Sequence, residues 1–221
     1  MPADPGASRS RRSPAHRSLG KGRMEALSDG VFSFASTLLV VDLAVNPPGT
    51  PLQQFLNAWP GYLGYLISFL TIGATWLLHT GMTDRLERVD SIFLRLNLLV
   101  LLVVAFLPFP TKLTADALQD TAGEMVAVTL YGLTLLTIRC LGVILDAYAR
   151  GEHLFAAQQP GEEPRTTRSR QWPVLIGYAI AILIGLVAPN VAVALYLALA
   201  LYLIVPFRDI ARVVRESRSH P

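Results

Sequence analysis

The stretch from Arg23 to Leu43, Arg-Met-Glu-Ala-Leu-Ser-Asp-Gly-Val-Phe-Ser-Phe-Ala-Ser-Thr-Leu-Leu-Val-Val-Asp-Leu, has the length of a bilayer-crossing helix but carries Asp29, Ser33, Ser36 and Thr37 inside its apolar run. A transmembrane helix takes about 20 mostly apolar residues. Polar groups facing lipid are costly, and a carboxylate is the worst of them. This helix therefore has to be surrounded by protein or water. At about 100° per residue, Asp29, Ser33, Ser36 and Val40 fall on one side, while Phe34, Thr37, Leu38 and Val41 cluster on the other. Two readings follow from spacing alone. One is a buried bundle helix whose hydroxyls bond back to its own carbonyls; the other is a conduction path along the Phe34 side.

The rest of the chain belongs to the same class. A composition of 52% hydrophobic and 16% charged residues, with a mean hydropathy of +0.44, does not suit a soluble domain of this length. A pI near 9.2 could suit a nucleic-acid binder, but the basic residues sit in the tails and at span ends, where membrane orientation explains them better. No nucleic-acid partner is expected. The single Cys140 cannot form an intrachain disulfide, so no oxidising compartment is implied.

Residues 1–20 are rich in Arg, Ser, Pro and Gly, the composition of a disordered basic tail. The first apolar run lacks a convincing small-x-small cleavage site and reads as a retained span. Asn46-Pro47-Pro48-Gly49-Thr50-Pro51 is a turn, and a second span runs from Trp59 to His79. Gly61-Tyr62-Leu63-Gly64-Tyr65 lacks the Thr-Val-Gly-Tyr-Gly carbonyl sequence of ordinary potassium filters and reads as interfacial aromatics with small packing residues. A third span ends at Pro108, where two nearby prolines are expected to stop the helix, leaving residues 111–122 as a loop. The fourth runs from about Gly123 to Tyr148 and is interrupted by Arg139, expected to face the bundle, and Asp146, expected at the interface. Gly151 to Arg170 is a flexible loop. From Gln171 to Phe207 there is no charged residue, and Pro189-Asn190 divides this stretch into two short spans. Gly177, Ala181 and Gly185 recur every four residues as a seam for close helix packing. Residues 208–221 form a basic C-terminal tail. The fold class is thus an all-α membrane protein with six transmembrane helices, residues 21–207 forming one domain.

Basic residues orient it. With six spans both termini share a side; that side collects 16 of the 19 Lys and Arg, the opposite loops hold only Lys112, and Arg95 and Arg139 lie within spans. The positive-inside rule then predicts cytoplasmic termini in a multi-pass membrane protein. Enzyme signatures are missing: there is no Gly-x-Ser-x-Gly, no His-Glu-x-x-His and no phosphate-binding glycine loop. No enzymatic activity, metal or cofactor is expected.

Arg23-x-x-x-Leu27-Ser28-Asp29 resembles the Arg-x-x-x-Phe-Ser-Asp signature that opens the first helix of the transmembrane protein 175 family, the potassium channels of lysosomes and many bacteria. Leu27 departs from it, standing where the family has Phe. Trp76-x-x-His79 at the end of the second span, Leu96-Asn97-Leu98 and Pro108-Phe109-Pro110-Thr111 in the third, and Tyr131-Gly132 extend the similarity. The resemblance implies a homotetrameric potassium-permeable channel in which the first helix lines a central pore. It also implies that an apolar constriction replaces a carbonyl filter. Mapped by offset from Asp29, the pore and gate positions are Phe34, Thr37, Leu38 and Val41, with Phe34 in place of the family's usual Ile or Leu. Arg23, Ser28, Asp29, Trp76 and His79 are expected to hold that helix against its own bundle and set its rotation. A proton channel or proton-coupled transporter using Asp29 and His79, and a non-conducting membrane scaffold, are the alternative functions.

Overall fold

The computed structural model describes residues 14–41, 43, 49–118, 123–156 and 165–205, with only the backbone of 14–19 and 165–171. The C-terminal tail, residues 1–13, the prolines of the 46–51 turn at 47 and 48, and the middle of the 151–170 loop lie outside the described residues. The described chain forms eight helices: α1 (Pro14–Val41), α2 (Pro51–Asn57), α3 (Trp59–Thr83), α4 (Ser91–Phe106), α5 (Pro108–Ala117), α6 (Glu124–Gly151), α7 (Arg165–Gly185) and α8 (Pro189–Ile204). Among the described residues the only β pairing is an isolated bridge between Leu86 and Phe155. The first helix begins at Pro14, inside the segment whose composition reads as a tail.

Four stretches are long and apolar enough to cross a membrane: Gly20–Val41, Trp59–Thr83, Ser91–Ala117 and Glu124–Gly151; Trp172–Gly185 and Pro189–Ile204 are shorter apolar helices. Six apolar helical segments therefore stand where the sequence predicts six spans. Their starts are written locally. Thr50 and Gln53 form a reciprocal capping box at α2, Asp90 accepts the Phe93 amide at 2.7 Å to cap α4, and proline occupies the first turn of α3, α5 and α8.

The third span corrects the expectation drawn from its prolines. It does not stop at Pro108; α5 continues it to Ala117, and residues 111–117 are helical rather than loop. Leu107 keeps right-handed helical dihedrals (φ −55°, ψ −37°). Proline removes a backbone donor, but the Leu107 amide takes the Val104 carbonyl at 3.2 Å. The Thr111 amide and hydroxyl then both bond the Leu107 carbonyl, at 3.2 and 2.8 Å. The Val104 carbonyl, which Pro108 cannot serve, is thus served by Leu107, and the Thr111 amide resumes the helical ladder.

Lipid tails are as apolar as leucine, so close packing and buried polar bonds, rather than hydrophobic transfer, hold membrane helices together. The core joins Ile67, Phe93, Val104, Tyr131, Tyr178 and Tyr196, all at most 1% exposed. Helix α3 is central, packed against α1, α5, α6 and α8. The predicted seam on α7 faces α8: a side chain at Gly177 would press on Leu199, and one at Gly185 on Ala192. Gly132 does the same on α6, where Tyr196 and Ile182 occupy the space a Cβ would need. At one end of the bundle, the loop after α3 is tied to the segment after α6 through Glu87 N–H to Leu154 O at 2.9 Å and Ala156 N–H to Arg85 O at 3.0 Å.

Candidate functional site

Helix α1 presents three faces, not two. Met24, Ser28, Phe32, Ala35 and Leu39 recur at helical spacing and are at most 4% exposed; this is the face that meets α3 and α4. Both groups separated by spacing lie mostly outside it. Phe34 is 64% exposed and Val41 66%, with Thr37 exposed between them and Leu38 half-buried at the edge. Asp29, Ser33 and Val40 are exposed on the adjoining side, and Ser36 is half-buried. The subunit thus turns a continuous stripe outward that mixes aromatic, aliphatic, hydroxyl and carboxylate groups. Hydroxyls on this helix bond backward to its own carbonyls: Ser36 to Phe32 O and Thr37 to Phe34 O, both at 2.8 Å, which meets part of the first of the two readings.

Two separate ties join α1 to its neighbours. In the first, the indole N–H of Trp76 on α3 donates to Asp29 Oδ1 at 2.8 Å. In the second, the buried Ser28 hydroxyl donates to Met24 O at 2.9 Å. Its oxygen is then left to accept the Asn97 amide at 3.0 Å. Asn97 on α4 is 1% exposed and His79 on α3 is 6% exposed, and His79 Nε2 lies 2.7 Å from Asn97 Oδ1. Because the Asn97 amide is committed to Ser28, Oδ1 accepts, and His79 must carry its proton on Nε2. The imidazole also packs on Phe32, with ring centroids 5.5 Å apart.

Of the residues expected in one supporting network, Ser28 and His79 meet through Asn97, and Asp29 and Trp76 meet each other. Arg23 is exposed with no partner among the described residues. Asn97 completes the buried tie and was absent from the expected site residues. A lone amide inside an apolar span, in Leu96-Asn97-Leu98, is the signal that marks it, since such a group needs a partner.

A second buried hydroxyl chain braces the bundle at the α4–α5 junction of the third span. Thr111 spends its proton on Leu107 O, so Ser68 donates to Thr111 Oγ1 at 2.7 Å and Tyr131 donates to Ser68 Oγ at 2.7 Å. Three spans are thereby joined around Gly64, whose missing Cβ leaves room for Thr111. Asp146 proves buried and accepts a bidentate bond from Arg150 at 2.7 to 2.9 Å, with Arg85 3.9 Å away. Among the described residues no group of three metal-ligating side chains occurs.

This arrangement, a polar-studded first helix fixed by ties to the second and third spans and exposed on its far side, falls in the segment that known proteins share. Residues 23–108 match a family described as the endosomal/lysosomal potassium channel TMEM175. A potassium channel of Streptomyces collinus is 37% identical over 82% of this chain and 90% of its own length. One from Chamaesiphon minutus is 31% identical over 82% of this chain and 92% of its own. The crystal structure of a lysosomal potassium-selective channel TMEM175 homolog from Chamaesiphon minutus superimposes with a TM-score of 0.71 at 28% identity, covering 84% of this chain and 96% of that one. A chicken (Gallus gallus) endosomal/lysosomal proton channel TMEM175 is 31% identical over half of this chain but only 24% of its own length. The chain belongs to the TMEM175 family, in its bacterial form.

Proposed function

We propose that this protein is a subunit of a potassium-permeable cation channel, assembled as a homotetramer in which copies of α1 surround the pore. The carrying observation is the outward face of α1, where Phe34 and Val41 are each about two-thirds exposed (64% and 66%) although the opposite face is packed into the subunit. One helix cannot enclose a pore, and a face that mixes Phe, Thr and Asp is ill suited to lipid, so copies of the chain are its natural surroundings. In this reading Phe34 forms the narrowest apolar ring, with Thr37, Leu38 and Val41 following toward the far end. Such a ring opposes ion passage by excluding water, and conduction requires the helices to widen or the side chains to turn. The Trp76–Asp29 and His79–Asn97–Ser28 ties fix the helix rotation and so set the gate; Arg23 extends the same end toward the headgroups. The potassium channels named for Streptomyces collinus and Chamaesiphon minutus support potassium as the permeant ion.

The bacterial relatives support a bacterial inner-membrane location, and the concentration of basic residues at one set of loops supports cytoplasmic termini. Proton permeation is a second reading, favoured by the proton channels among the vertebrate relatives. Purified protein in liposomes tests both. Uncoupled potassium flux, with a reversal potential that follows the potassium gradient, supports the channel. A reversal potential that follows the pH gradient supports protons, and neither flux indicates a scaffold. Native mass spectrometry is expected to give four chains, and a conducting monomer would remove the pore scheme.

A further inference from the structure

Arg139 stands at the middle of α6, about 18 Å of helix from Gly151 at 1.5 Å per residue, and is 7% exposed. No described residue accepts a hydrogen bond from it or pairs with its charge. A guanidinium carries five donors, and an unpaired one at this depth is costly. It lines a pocket between α3, α4 and α6 that also meets Thr75, His79 and Gly142, and reaches Arg85 and Asp146 at the loop end of the bundle. The pocket offers about 50 Å³ to water-sized occupants, more than one water requires. Charge on its walls is unbalanced. Asp146, its one carboxylate, is already engaged by Arg150 at 2.7 Å and faces Arg85 at 3.9 Å, which leaves Arg139 as surplus.

We propose that this pocket binds a small inorganic monoanion of the chloride class, held by the Arg139 guanidinium and reached from the Arg85 and Asp146 end. An anion there supplies the acceptor and the countercharge that the walls lack. The volume suits a monatomic ion with a few waters. The site lies on the side of α3 and α6, apart from the outward face of α1, so it serves the subunit rather than the pore.

The test is thermal unfolding of the purified full-length protein in detergent at fixed potassium and ionic strength, with chloride replaced stepwise by gluconate, which is too large to enter. The wild type is expected to gain melting temperature saturably with chloride, and Arg139→Gln to lose that dependence. Since Arg139→Gln removes a buried charge and can itself alter folding, Gly142→Leu provides a second variant. Nothing lies within 4 Å of where a Cβ at Gly142 would sit, so the larger side chain enters the pocket with Arg139 intact, and the saturable chloride response is again expected to vanish. A response that is absent in the wild type, or unchanged in both variants, overturns the proposal. Stabilisation by added phosphatidylglycerol but not chloride, lost in Arg139→Gln, also overturns it and gives the guanidinium to a lipid phosphate.

Discussion

His79 donates its Nε2 proton to Asn97 Oδ1 at 2.7 Å, and because Asn97 passes its own amide to Ser28, the bond joins α1, α3 and α4 through one buried line. Deleting the middle of that line orphans both ends. Asn97→Ala is expected to cost about 2 to 4 kcal/mol, since each buried group left unsatisfied costs about 1–3 kcal/mol. Ser28→Ala in the Asn97→Ala background should cost much less than it does alone. The Asp29–Trp76 tie is separate, so Asp29→Ala and Asn97→Ala should combine nearly additively, while Asp29→Ala and Trp76→Phe should not. Folded yield and unfolding midpoints of the four single and three double variants check this. A coupling between Asp29 and Asn97 as large as that within either tie would mean that one network, not two, holds the helix.

Gly132 allows α6 to approach α8, with Tyr196 where its Cβ would stand. Gly132→Ala is therefore expected to destabilise by about 1–3 kcal/mol, the usual cost of overpacking. Tyr131→Phe, which only removes the donor to Ser68, should cost about 0.5–1.5 kcal/mol. Thermal unfolding in detergent gives the order, and a Gly132→Ala protein as stable as wild type would mean that the helices part freely there.

Asp90 caps α4 and receives the Tyr148 hydroxyl at 2.8 Å. Burial alone would raise its pKa, but the Phe93 amide, the Tyr148 hydroxyl, the Ile92 amide and Arg88 outweigh it and hold the carboxyl below its ordinary value. A folded-state pKa lower than the unfolded one stabilises the fold above the unfolded value, and that contribution is lost as pH falls through the folded one. Asp90→Ala should therefore lower stability by about 1 kcal/mol at neutral pH, as loss of an N-cap does, and the difference from wild type should shrink in acid below pH 4. Unfolding midpoints across that range check the sign. A difference that grows on acidification contradicts it.

Orientation has a direct chemical test. Single cysteines at Thr50 and Gln159 in a Cys140→Ser background should be labelled by an impermeant thiol reagent from outside at Thr50 only. Labelling at Gln159 alone reverses the topology.

Much of the fold could be read from the chain, because charged or proline-containing turns separate the apolar runs. Periodicity could not say which face of α1 packs inward. Met24, Ser28, Phe32, Ala35 and Leu39 include a polar residue and differ from their neighbours mainly in size, so only the partners on α3 and α4 single them out. Pro108 and Pro110 read as a stop, since a proline rule taken from isolated helices omits the Leu107 amide, which takes the Val104 carbonyl that Pro108 leaves. Asn97 was legible as an unpartnered amide between leucines. So was the Asp146–Arg150 pair, whose spacing of four puts both on one helical face.

The measurement that bears most directly on the pore is the single-channel behaviour of Phe34→Ala, read together with folded yield. Phe34 is mostly exposed in the subunit, so truncation leaves no intrasubunit cavity, and the cost of about 3–5 kcal/mol expected for a buried phenylalanine should not appear. Removing one aromatic per chain from a single level of the pore should let water persist there, raising basal cation current and lowering selectivity at near-normal yield. Thr37→Val, one turn on, should instead change selectivity with little effect on basal current. Unchanged conductance and open probability in Phe34→Ala, accompanied by a fall in folded protein, would contradict Phe34 as the gate.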